Sequence, residues 1–293
     1  MRSLFLTANR LRHHLLEWGE GERVVLLCHG FLEHAHAWSW VAPQLAAAGW
    51  HVYALDWRGH GRSEWVGTGG YYHFADYIAD LGGLVRQLGG RVALVGHSMG
   101  GNATLLYTGT EPERVSALVS IEGLGPPGAD FADAPARFAA WIDDLERSAA
   151  RARPPMALAD ARARLRERYA RLSDAAIDLL AEHGTRAVDG GREWAFDPLH
   201  QTRTPQPFYS EQGRAFWRRV ACPMLYIAGD SSVIRYPDDI LADRLSVLRA
   251  RRTVIAGSGH HPHLEQPDEL ARVLVAFLNT AMSDQGRVAS DER

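Results

Sequence analysis

Lysine is missing from this chain. All 32 basic residues are Arg, and that absence removes whole chemistries. Schiff-base and pyridoxal-phosphate catalysis, and the usual P-loop and protein-kinase mechanisms, each need a Lys amine at a fixed place. Arg cannot stand in, because its guanidinium stays charged and is a poor nucleophile. Cysteine is scarce: Cys28 and Cys222 are the only two, and both lie in apolar runs. Neither a disulfide framework nor a metal site is expected from them. No apolar stretch nears the roughly 18–20 residues that span a bilayer. Residues Met1 to Leu16 lack an apolar core of signal-peptide length, because Arg10, Arg12, His13 and His14 interrupt them. No sign of charge is in excess, with 32 basic against 35 acidic residues and a net charge of −3. Nucleic acid and membrane are therefore not expected as partners. We expect a reduced, cytoplasmic protein, monomeric or homodimeric.

What is present is a globular composition, 46% hydrophobic and 23% charged over 293 residues. Short apolar runs alternate with helical spacing. Leu11–Trp18, Arg23–Cys28, Trp50–Leu55, Arg91–Val95 and Val115–Ile121 read as strands, most of them buried on both faces. Helical spacing runs over Trp40–Ala48, His73–Leu88 and Gly101–Gly109. From about Gly125 to Arg214 no convincing strand occurs, and the Ala- and Arg-rich sequence predicts helices. The Arg-dense stretch Arg162–Arg171 reads as a solvated helix face. Alternation then resumes with Pro223–Ala228, Pro237–Leu248, Arg252–Ile255 and Pro267–Met282. The order predicts an α/β fold with a mostly parallel sheet and helices on both faces. Its core is expected from residues 1–124 and 215–293, and a helical insertion from 125–214.

Three stretches carry chemistry. Gly96-His97-Ser98-Met99-Gly100 places a Ser between a strand and a helix, on a turn that forces its hydroxyl outward. His29-Gly30-Phe31 follows a buried strand. The amides of Phe31 and Met99 are the expected pair of donors for an oxyanion, with His29 as a loop brace. Gly257-Ser258-Gly259-His260-His261-Pro262-His263 lies between the last strand and the last helix. A loop there can deliver a base, and His260 is best placed, with His261 and His263 as alternatives.

These residues, with Asp56-Trp57-Arg58-Gly59-His60-Gly61-Arg62-Ser63 and Glu265-Gln266-Pro267, resemble the α/β-hydrolase fold superfamily over nearly the whole chain. The resemblance implies an eight-stranded sheet, Ser98 as nucleophile, His260 as base, Phe31 and Met99 as oxyanion hole, and residues 125–214 as a lid. It also implies a structural turn network for Asp56 and Arg58. The chain departs from the common pattern at the third member. The usual acid position after the PMLYIAGD strand holds Ser232. Some superfamily members instead place the acid after an earlier strand, where this chain has Glu122. Glu122 is the expected acid, with Asp230, Asp238 or no acid as the other options. For substrate contact the candidates are His34, Trp38, Trp141, Trp194 and Phe208. Glu33, His36 and Trp40 are further candidates near the pocket entrance.

The implied function is a carboxylesterase-like serine hydrolase without cofactor. It would cleave a small, mostly apolar ester, or a thioester or amide, through an acyl-enzyme. Carbon–carbon bond hydrolases and cofactor-free haloperoxidases also use Ser and stay open. Epoxide hydrolases and dehalogenases of this fold attack with Asp, and Ser98 argues against both. The non-enzymatic alternative is a ligand-binding receptor or pseudo-enzyme, suggested by Ser232.

Overall fold

Alternate residues along each central strand face opposite sides of one sheet, and both sides are apolar. In β3 (Val24–Cys28), Val25 and Leu27 face one core cluster while Leu26 and Cys28 face the other. That is why the strand reads as a continuous hydrophobic run. The computed structural model describes residues 1–291, with side chains through Ser283.

Strands β1 (Arg2–Ala8) and β2 (Leu11–Trp18) form an antiparallel pair before β3. Next come α1 (Ala42–Ala47), β4 (His51–Leu55), α2 (Phe74–Gln87), β5 (Val92–His97), α3 (Met99–Thr110) and β6 (Val115–Ile121). The following segment holds α4 (Ala134–Ala150), α5 (Leu158–Arg168), α6 (Asp174–His183), the hairpin β7 (Thr185–Val188) and β8 (Gly191–Trp194), and α7 (Ser210–Trp217). The chain ends with β9 (Met224–Gly229), α8 (Asp238–Leu248), β10 (Arg251–Ile255), α9 (Pro262–Glu265) and α10 (Pro267–Asp291).

The main sheet has eight strands in the order β1-β2-β4-β3-β5-β6-β9-β10. From β4 to β10 all neighbours are parallel, while β2 runs antiparallel to β4 and β1. Residues from α1 and α10, including Leu45, Leu270 and Leu274, cover one face. Tyr77 and Leu81 of α2, Ala103 and Tyr107 of α3 and Leu248 of α8 cover the other. Among the described residues no helix is long and apolar enough to cross a membrane.

Two elements differ from the sequence expectation. Strand β1 was not foreseen, because its exposed edge position leaves RSLFLTA with little continuous apolar character. The stretch 125–214 is not purely helical: β7 and β8 pair antiparallel around Asp189-Gly190, and Gly190 takes φ 80°.

The position of the Ser98 turn depends on a close backbone approach. A Cβ on Gly100 would lie 2.4 Å from the Cys28 carbonyl oxygen and 2.6 Å from that of His29. Only glycine lets the start of α3 rest on the end of β3. Gly100→Ala is expected to destabilise the fold by about 1–3 kcal/mol, measured as a lowered urea midpoint.

Candidate active site

Parallel strands deliver their ends to one edge of a sheet, and the candidate residues gather there. Ser98 follows β5 directly, with φ 50° and ψ −112°. Its amide donates to the Ile121 carbonyl at 2.8 Å, which ties the turn to neighbouring β6. Glu122 follows β6, also with positive φ, 58°. His260 comes from the loop after β10, 162 residues from Ser98.

The three side chains form a hydrogen-bonded chain. His260 Nε2 lies 3.1 Å from Ser98 Oγ, and His260 Nδ1 lies 3.2 Å from Glu122 Oε2. A carboxylate only accepts, so the Nδ1 hydrogen points at Glu122. The Nε2 lone pair then faces the Ser98 hydroxyl. Glu122 itself is buried and both its oxygens are engaged: Oε1 accepts from the Gly229 amide at 2.7 Å, and Oε2 from Ser232 Oγ at 2.6 Å. Thus the Ser at the position where a carboxylate is common donates to the carboxylate that sits one strand away.

The other acid candidates are engaged elsewhere. Asp230 Oδ2 accepts from the Gly257 amide at 2.9 Å, and its Oδ1 from Ser231 Oγ at 2.9 Å, in an exposed loop. Asp238 opens α8. His261 and His263 turn away from Ser98 toward Glu33, each with Nε2 at 3.4 Å from a Glu33 oxygen.

Met99 is the first residue of α3, where a helical amide has no carbonyl one turn back to bond. Phe31 is 41% exposed, on the turn after β3 that Gly100 packs beneath. His29 braces this turn. The Trp57 amide donates to His29 Nε2 at 3.1 Å, so Nδ1 carries the hydrogen given to the Gly30 carbonyl at 2.7 Å. Asp56 accepts from the amides of Ala35 and Arg62 and pairs with His14. Burial acts to raise its carboxyl, but His14, His29 and the Arg62 amide hold it at about 2. Arg58 forms a fork onto Asp80. Asp56 and Arg58 therefore serve the turn.

The five candidates for substrate contact separate. His34 is buried beneath α6, its Nε2 3.4 Å from the Leu180 carbonyl, and burial pushes its ring down to about 4. Trp38 is fully buried in the core against His263, which is a packing position rather than a pocket wall. Trp141 lies on α4 beside Tyr71 and Phe138. Trp194 stacks on Phe196 and packs on the small cluster of Met156, Ala161 and Ala181. Phe208 stacks on Trp217, and a Cβ on Gly125 would lie 2.9 Å from its ring, so it borders the loop that follows Glu122. Sequence reasoning gave Glu33 no partner, although it accepts from the Gly30 amide at 2.9 Å and lies 3.3 Å from His97.

Known proteins resemble this chain in sequence and in fold. The chain is 29% identical over 280 residues to a serine hydrolase-like protein of Danio rerio, covering 92% of this chain and 85% of that one. A hypothetical protein of Pseudomonas aeruginosa has a similar structure, with TM-score 0.86 at 29% identity, over 95% of this chain and 100% of the other. The thioesterase domain from the curacin biosynthetic pathway matches with TM-score 0.82 at 29% identity, over 94% of this chain and 99% of that domain. Residues 23–267 match the alpha/beta hydrolase fold, and the chain belongs to that family.

Proposed function

We propose that this protein is a serine hydrolase that cleaves a carboxylic ester or thioester through an acyl-enzyme. The observation that carries the reading is the Ser98–His260–Glu122 chain, with an acceptor nitrogen aimed at an alcohol and a buried carboxylate behind the ring. In this mechanism Ser98 Oγ attacks the substrate carbonyl while His260 Nε2 takes its proton. The amides of Phe31 and Met99 hold the oxyanion, a contribution of roughly 10²–10³ in rate for one donor. Glu122 orients the imidazole and balances its charge. His260 then protonates the leaving group, and water activated by the same ring releases the acid.

Residues 125–214 act in this reading as a cap that selects the acyl group. The Ala-rich composition of this segment and the aromatic residues in its loops favour a mostly apolar substrate. The likeness to a thioesterase domain keeps thioesters in the class beside esters. The receptor alternative drew on the missing carboxylate at 232. Glu122 supplies that carboxylate to His260 from the neighbouring strand, which favours an enzyme.

The test is a series of p-nitrophenyl esters of increasing acyl length beside matched N-acetylcysteamine thioesters. Turnover is expected, with kcat/KM peaking at one acyl length. Saturable binding with no turnover above buffer, across both series, would favour the receptor instead.

A further inference from the structure

The histidine before the serine, His97, is buried and enclosed. Its Nε2 lies 2.7 Å from the main-chain oxygen of His260. A carbonyl only accepts, so Nε2 carries a hydrogen. Its Nδ1 lies 3.3 Å from Glu33 Oε2. A carboxylate also only accepts, so a neutral ring would turn a lone pair onto a buried anion. Hydrogen on both nitrogens would satisfy both acceptors and make the ring an imidazolium facing a carboxylate. Glu33 is 3% exposed at its side chain and His97 1%.

We propose that Glu33 and His97 are positioning residues whose buried ion pair fixes three loops relative to one another. Glu33 accepts from the Gly30 amide, which precedes the Phe31 amide of the oxyanion turn. His97 adjoins Ser98 in sequence and grips the backbone of His260. One pair of charges thus links the nucleophile turn, the oxyanion turn and the loop that delivers the base. The role rests on the hydrolase reading.

The surroundings support this charge assignment. The titratable groups acting on His97 are Glu33, His29, Glu122, His260, His261 and His263. Burial opposes both charges, yet His97 is the foremost cause holding Glu33 well below the usual carboxylate range, and Glu33 raises His97. Burial pushes His261 down to about 2 and His263 to about 4, so neither carries the charge at neutral pH. The sign follows. With His97 raised, the clamp is present below that raised value and is lost as pH rises through it.

The experiment compares wild type, Glu33→Gln and Glu33→Asp, with active sites counted by fluorophosphonate titration and folding checked by thermal melting. Per titrated site, Glu33→Gln is expected to lower kcat roughly tenfold to a hundredfold through misplacement of the base, with KM little changed. Its alkaline fall in kcat should flatten, because the ion pair whose loss with rising pH produces that limb is already absent. Glu33→Asp keeps the charge and should restore the limb toward wild type. An unchanged kcat and pH profile in Glu33→Gln overturns the proposal. Should Glu33→Gln fail to fold, ¹⁵N NMR of wild type decides: His97 must show both ring nitrogens protonated at pH 7, and a neutral tautomer refutes the ion pair. Elemental analysis supplies a further check, since a stoichiometric divalent metal at the cluster, where Glu33, His97 and His263 converge, would replace the proton and defeat the proposal. The NMR readout needs no turnover, so it judges the ion pair even where ester hydrolysis is absent.

Discussion

Ser98→Ala is expected to lower ester turnover by roughly 10⁶-fold and to abolish labelling by a fluorophosphonate. The size follows from the unit character of the site. Without Oγ there is nothing for His260 to deprotonate, and the oxyanion donors act on a substrate that is not attacked. Any remaining rate would reflect binding and the oxyanion amides alone. The melting temperature should not fall, because the turn is held by its backbone, where the Ser98 amide donates to the Ile121 carbonyl. Labelling that survives the substitution would remove Ser98 as nucleophile and with it the proposed mechanism.

Glu122→Gln should cost roughly 10⁴-fold in kcat, the scale seen when a triad acid becomes an amide. Three donors converge on this carboxylate: the Gly229 amide, Ser232 Oγ and His260 Nδ1. An amide supplies one acceptor oxygen and one NH2 group, so it cannot receive all three. Either the ring loses its orienting acceptor or a buried donor is left unmatched. Asp230→Asn should have little effect, since Asp230 serves the Gly257 turn. The geometry also predicts a rescue. Ser232 Oγ already touches the Glu122 oxygen that His260 uses. The double variant Glu122→Gln, Ser232→Asp puts a carboxylate at the common family position and should recover part of the lost rate. Equal activity of Glu122→Gln and wild type, or a larger loss from Asp230→Asn, would overturn the choice of acid.

The parts of the fold that sequence showed are those whose determinants are local. Buried central strands declare themselves because both faces are apolar, as Val92–His97 and Val115–Ile121 do. The Ser98 turn was legible because a tight strand-to-helix bend needs glycines around it, and Gly96 and Gly100 are present. His260 was legible from its place after the last strand. Glu122 needed more than local pattern: its position next to Ser98 is created by the β5–β6 pairing. The remainder depends on contacts remote in the chain. Trp38 has the same local sequence whether it lines a pocket or fills a core, and only packing against His263 decides. Glu33 carries no signal of its own, because its partners arrive from residues 97, 261 and 263. The edge strand Arg2–Ala8 lacks the double-sided apolarity that marks central strands.

Ser98 holds a left-handed φ of 50°, and conformations of that kind cost a residue with a side chain on the order of 1–3 kcal/mol. Glycine would adopt it freely. A laboratory campaign that rewards heat resistance alone should therefore enrich glycine at 98, and the survivors would be sturdier and inert. Evolution of a faster or tougher variant must keep turnover under selection throughout, because in the proposed mechanism durability and reactivity pull one residue in opposite directions.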